Sequence, residues 1–137
     1  MAPGQATDSS EVYEEPVDTF VATFVGQPPM NLLELADPSL PPRTLLGFRP
    51  EQFLPRGVFA AGESVRPFSF AVRRVEYLGS DRYVYGAVPG TNPEATVIAK
   101  LPGTVALALP EGRTHEFAIP TRALRYFDAD TGRRRQP

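Results

Sequence analysis

Residues 66–88, RPFSFAVRRVEYLGSDRYVYGAV, constrain the fold more than any other stretch. Phe68, Phe70 and Val72 recur at every second position, which puts them on one face of a strand. The alternation slips across Arg73 and Arg74, then resumes with Val75 and Tyr77. A slip of one residue within a strand marks a β-bulge. Gly79, Ser80 and Asp81 form a turn signal, and the chain returns with Tyr83, Tyr85 and Ala87 on one side. A long, bulged hairpin is the expectation.

Further runs have strand length. MNLLEL and LLGFRP precede the hairpin; ATVIAK, TVALALP, THEFAIP and LRYFD follow it, with EGR and DADTG as turns. Six or seven short strands with turn signals every 8 to 12 residues suggest a small β-barrel or sandwich. The 16 prolines and 11 glycines are scattered, so they punctuate turns and do not form a low-complexity tract. ADPSLPPRT is a proline-rich connection between the first two strands.

The N-terminal part has a different period. Residues 1–8 are small and polar, as in a frayed tail. Asp8 with Glu11 has the form of a capping box for a short helix that ends near Glu15, before Pro16. In PVDTFVATFVG, Val17, Phe20, Val21, Phe24 and Val25 make one apolar helical stripe, and Gly26 is a natural C-terminal cap. The expected architecture is therefore mainly β: a small β-barrel or sandwich over 27–132, preceded by two short helices within 9–26 and followed by a basic tail, 133–137.

Composition narrows the function classes. The 137 residues are 42% apolar and 22% charged, which suits one packed domain. The net charge of -2 gives no global attraction to nucleic acid or anionic membrane. The chain has no cysteine, so disulfides, thiol catalysis and cysteine metal sites are excluded. No apolar run approaches the roughly 20 residues of a membrane-spanning helix. MAPGQATDSS has neither a basic nor an apolar signal region, so a cytoplasmic location is the expectation.

Catalytic signatures are missing. Lys100, the one lysine, sits in IAKLPG without the glycines and the Ser/Thr of a phosphate-binding loop. His115, the one histidine, falls in a predicted strand and reads as a solvated or hydrogen-bonded strand residue. The carboxylates of Glu14, Glu15, Glu116, Asp128 and Asp130 flank turns or helix starts, where solvation or capping accounts for them. Tyr77, Tyr83 and Tyr85 near Arg73, Arg74 and Arg82 invite comparison with a single-strand nucleic-acid face. Snorkelling arginines on a half-buried hairpin are the favoured explanation, and no nucleic-acid partner is expected.

Four stretches, in order, resemble one family. EVYEEPVDTFVATFVGQPPMNLL is similar to the segment that joins the nucleotide-binding domain to the C-terminal domain in ATP-binding subunits of carbohydrate ABC importers, of the maltose, multiple-sugar and glycerol-phosphate type. Tyr13, Glu14, Pro16, Phe20, Val21, Ala22, Phe24, Val25, Gly26, Pro29, Met30 and Asn31 carry that match. GFRPEQF adds Gly47, Arg49, Pro50 and Glu51. VRRVEYLGSDRYVYG adds Val75, Glu76, Leu78, Gly79, Asp81, Tyr83, Val84 and Tyr85. LRYFDADTGRR adds Phe127, Asp128, Thr131 and Gly132.

The resemblance implies an OB-like regulatory domain that pairs with its twin in a dimer of ATPase subunits. It implies as partners an ATPase domain, the transporter's membrane subunits and, in some members, a regulatory protein, at the inner face of the cell membrane. Phe20, Val21, Phe24, Val25, Pro29, Met30 and Asn31 are expected to pack the entry segment onto the barrel. Arg49 and Glu51 are expected as a charged contact or ion pair at the surface, and Gly79 and Asp81 as turn residues at a candidate interface. The Walker and signature motifs of the family are absent from this sequence. No cofactor is therefore expected here, although ATP and magnesium serve the full-length family. The interval between Met30-Asn31 and Gly47 is short for the family, which implies one or two missing strands. The alternative is a stand-alone small-ligand or oxyanion-binding barrel of the molybdate-module type, using Arg49 and backbone amides.

Overall fold

In the computed structural model, residues 29–34, 38–89 and 95–135 are described. The two expected helices, with Phe20, Val21, Phe24 and Val25, lie outside the described residues. The rest is mainly β, as expected. The strands are β1 (Asn31–Glu34), β2 (Thr44–Phe48), β3 (Leu54–Pro55), β4 (Val65–Leu78), β5 (Asp81–Val88), β6 (Ala95–Leu101), β7 (Thr114–Pro120), β8 (Arg125–Asp128) and β9 (Arg134–Arg135). Three single 3-10 turns, at Pro50–Gln52, Arg56–Val58 and Thr121–Ala123, connect them.

Two antiparallel sheets result. The larger has the order β3-β7-β4-β5-β6 and curls as a half-barrel; the smaller has the order β1-β2-β8-β9. The hairpin read from residues 66–88 is the spine of the larger sheet. β4 and β5 pair from Ala71↔Ala87 to Leu78↔Asp81, and the register shifts between Val72 and Arg74, where the alternation slips. Gly79 takes the left-handed conformation (φ 64°) that a two-residue hairpin turn requires. Gly86 faces the bulge. A Cβ there would stand 2.1 Å from the Ala71 carbonyl oxygen, so only glycine fits.

Inside the curl is an aromatic cluster. Phe53 sits 5.3 Å from Phe48, 4.9 Å from Phe70 and 5.0 Å from Phe117, centroid to centroid. Phe70 meets Phe117 edge-on at 4.9 Å. Such tilted pairs add roughly 0.5–1.5 kcal/mol each beyond area burial. Leu33, Leu46, Val72, Val84, Val97, Leu101 and Ile119 complete the core.

Two segments depart from the sequence expectation. TVALALP is not a strand: residues 105–110 run without ladder pairing. Val105 N–H closes a turn onto the Pro102 carbonyl at 3.0 Å, the Arg82 guanidinium holds the Val105 carbonyl at 2.7 Å, and Leu109 drops into the core. The run thus sends one apolar side chain, Leu109, into the core, packs Val105 against it and leaves Leu107 exposed. Nor are residues 133–135 a tail. Arg134 pairs with Phe127 and Arg135 with Tyr126. The Arg135 guanidinium donates to Thr44 Oγ1 at 2.7 Å, to the Pro42 carbonyl at 3.2 Å and to the Asp128 carboxylate.

Candidate functional site

Met30 and Asn31 enter the barrel together. Met30 is buried with Phe127, over Gly47, where a Cβ would come within 2.8 Å of the Met30 sulfur and 2.7 Å of the Phe127 ring. Asn31 opens β1 and is only 6% exposed. Its side-chain Nδ2–H donates to the Ile98 carbonyl at 2.9 Å, and its Oδ1 accepts from Ile98 N–H at 2.9 Å. The side-chain amide therefore does what a neighbouring strand's peptide would do, and it ties the first strand of the small sheet to β6 of the large one. Pro29, just before them, is exposed.

Arg49 is not at the surface, contrary to expectation. It is 1% exposed, at the end of β2 beside Pro50. Its N–H donates to Gln52 Oε1 at 2.9 Å, and Gln52 N–H returns a bond to the Arg49 carbonyl at 3.0 Å, which fixes the 3-10 turn. Glu51 on the same turn is exposed. The residues on either side of it in sequence, Phe48 and Pro50, are buried as well.

Met30, Arg49, Glu51, Gln52, Arg122, Ala123 and Arg125 line a cavity of about 170 Å³. Arg125 Nη1 donates to the carbonyls of Arg122 (2.8 Å) and Leu124 (3.0 Å). Three guanidinium groups and one carboxylate thus share the lining. The volume is below the roughly 300–1,000 Å³ typical of organic ligand pockets. Of the expected residues, the structure brings Met30, Arg49 and Glu51 to this cavity. Gly79 and Asp81 stand elsewhere, at the hairpin turn, where Asp81 is 3.9 Å from the Lys100 ammonium. Sequence reasoning missed Arg122 and Arg125, which lie three residues apart just after Pro120.

The tyrosines do not share a face. Tyr77 and Arg82 are cross-strand partners, as are Tyr83 and Glu76, and Tyr85 and Arg74. Strand alternation therefore puts Tyr77 and Arg82 on one side and Tyr83 and Tyr85 on the other. Arg74 lies 4.2 Å from the Tyr85 ring centroid and bonds Glu76 Oε2 at 3.1 Å, while Tyr85 Oη donates to Glu76 Oε1 at 2.9 Å. That hydrogen bond, then partial burial, raises the Tyr85 phenol above its ordinary value. His115 lies in β7, as expected, and is partly exposed; its Nε2 is buried and has no hydrogen-bond partner among the described residues. Among the described residues no three His, Cys, Asp or Glu side chains gather as a metal site, and no helix is long and apolar enough to cross a membrane.

No protein-family model matches the chain. It is similar to curated proteins named sn-glycerol-3-phosphate import ATP-binding protein UgpC. The one from Rhodopseudomonas palustris (strain BisA53) is 34% identical over 142 residues, 91% of this chain and 38% of that protein. The one from Chromobacterium violaceum is 36% identical, over 90% of this chain and 36% of that protein. The one from Paracoccus denitrificans is 37% identical, over 90% and 37%. The chain thus spans somewhat more than a third of the length of the curated relatives it matches. It corresponds to a partial region of an importer ATP-binding subunit, and a C-terminal barrel domain fits that region.

Proposed function

We propose that this chain, which corresponds to part of an importer ATP-binding subunit, is the C-terminal regulatory and pairing domain of such a subunit and performs no chemistry itself. Its partners are a second copy, an ATP-binding domain and the membrane subunits of the transporter, at the cytoplasmic face; a regulatory protein is a further partner of the same class. The substrate class follows the relatives' printed name, a phosphorylated polyol such as sn-glycerol 3-phosphate, handled by the transporter and not by this chain.

The observation that carries the reading is the junction at Met30-Asn31. The side-chain amide of Asn31 builds the entry strand into barrel closure. Whatever precedes residue 29 is thereby joined to a rigid point, as a domain that holds two moving ATPase units together requires. Pro29, Met30 and Asn31 act as the packing residues of that joint, with Phe20, Val21, Phe24 and Val25 proposed for the same role. Glu51, Gly79 and Asp81 remain candidates for the partner surface; Arg49, being buried, is not. Sedimentation velocity of the 137-residue chain at micromolar concentration tests the reading, together with an ATP hydrolysis assay. A dimer without turnover is expected. A clean monomer at high concentration removes the pairing role, and nucleotide turnover removes the non-catalytic one.

The arginine-lined cavity favours a second reading, a barrel that binds a small oxyanion. Anything that binds only the native state raises its stability, by about 2.7 kcal/mol at a hundredfold excess over Kd. Molybdate, sulfate or phosphate should then raise the Tm; a flat screen contradicts this reading.

A further inference from the structure

We infer that the open edge of β4 over Arg74–Leu78 pairs antiparallel with the same edge of a second copy, with Val75 on the two-fold axis. The inference rests on the pairing role proposed above and adds the surface and register that perform it.

β4 runs from Val65 to Leu78, but β7 covers only Val65–Ala71. Val72 is held next, by Arg113 and Gly112. Beyond it, no strand among the described residues pairs with that edge, while β5 covers the other edge to Leu78. The two-residue turn makes Leu78↔Asp81 the hydrogen-bonded closing pair. By alternation, Glu76 and Arg74 also direct their N–H and C=O groups to β5, and those of Val75 and Tyr77 point to the open edge. An unpaired row of this kind is a template for another strand.

The segment after β6 does not fill the position. It is drawn inward through Arg82 and Leu109 and forms no ladder. At the open edge Tyr77 is 73% exposed and Leu78 56%, among the most exposed large apolar side chains described.

Charge complementarity selects both occupant and register. With Val75 on the axis, the two Val75 peptides exchange both hydrogen bonds, and Arg74 of each copy stands opposite Glu76 of the other, on the face where Arg74 and Glu76 already meet at 3.1 Å. Directly opposed residues in such a pair have Cα atoms about 4.5 Å apart, close enough for two symmetric ion pairs. Moving the axis to Glu76 would oppose two carboxylates. Moving it to Tyr77 would run each strand into the other's turn.

Two charge reversals test this, each checked for native fold by circular dichroism. Arg74→Glu leaves two acidic residues on the edge; Glu76→Arg leaves two basic ones. Each variant alone should self-associate on the order of tenfold or more weakly than the native chain, since like charges then stand opposite each other across the pair. A one-to-one mixture should restore association as the heterodimer, identified by native mass spectrometry. A native chain that stays monomeric overturns both this inference and the pairing role. A native dimer whose variants associate as well as it does overturns the edge alone. So do variants that lose association and do not regain it on mixing.

Discussion

Asn31 shows how much one side chain can hold. Replacing it with alanine leaves Ile98 N–H and C=O without their partners, and each buried orphan costs roughly 1–3 kcal/mol. Asn31→Ala should therefore destabilise the barrel by about 3 kcal/mol in urea unfolding, while Asn31→Asp should recover part of the loss only when protonated at low pH. Asp128 carries a different signature. Backbone N–H groups of Asp130 and Thr131, at 2.8 and 3.2 Å, hold its carboxyl below the ordinary carboxylate value. A depressed pKa contributes stability above the ordinary value and loses it as pH falls through the depressed one. Asp128→Ala should thus lower the Tm at neutral pH, and the gap to the native chain should close in acid. At Tyr85 the phenol should titrate above 10 and return toward it in Glu76→Ala, read by ultraviolet absorbance. Little of this was legible from residue type. The importance of Asn31 entered through a family resemblance, because its partner lies 67 positions away. Arg49 looked like a surface charge, because an arginine beside a proline gives no hint that it and its neighbours Phe48 and Pro50 will be buried.

Strands were most legible where their pattern is local. The slip at Arg73–Arg74 and the Gly79–Asp81 turn define the central hairpin from adjacent residues alone. Gly86 sharpens the point, since the bulge brings the Ala71 backbone over it. Gly86→Ala should cost about 3 kcal/mol or more, the upper end for overpacking, because backbone cannot step aside. Gly47→Ala should cost less, because the Met30 sulfur and Phe127 ring it would meet are side chains. Comparing the two urea midpoints checks the order. Residues 105–110 have an equally good strand pattern and form none, since β-propensity reports a fit to a half-buried surface and does not supply a neighbour. Arg134–Arg135 present the converse. Their polarity hides an edge strand held by β8 backbone and by contacts to Thr44 and Asp128.

For the whole molecule, the Asn31 bridge and the aromatic cluster tie the entry strand to a barrel in which the edge of β4 over Arg74–Leu78 has no strand partner among the described residues. That combination suits a part that joins things. The similarity itself is partial: nine-tenths of the chain matches, but only about 38% of the Rhodopseudomonas palustris relative. The most direct measurement uses that relative. Its matched segment is replaced by this chain, and self-association without nucleotide is compared with that of the same protein lacking the segment. A fusion that stays dimeric at concentrations where the shortened protein dissociates is the predicted result. A fusion that dissociates as readily as the shortened protein would contradict the account.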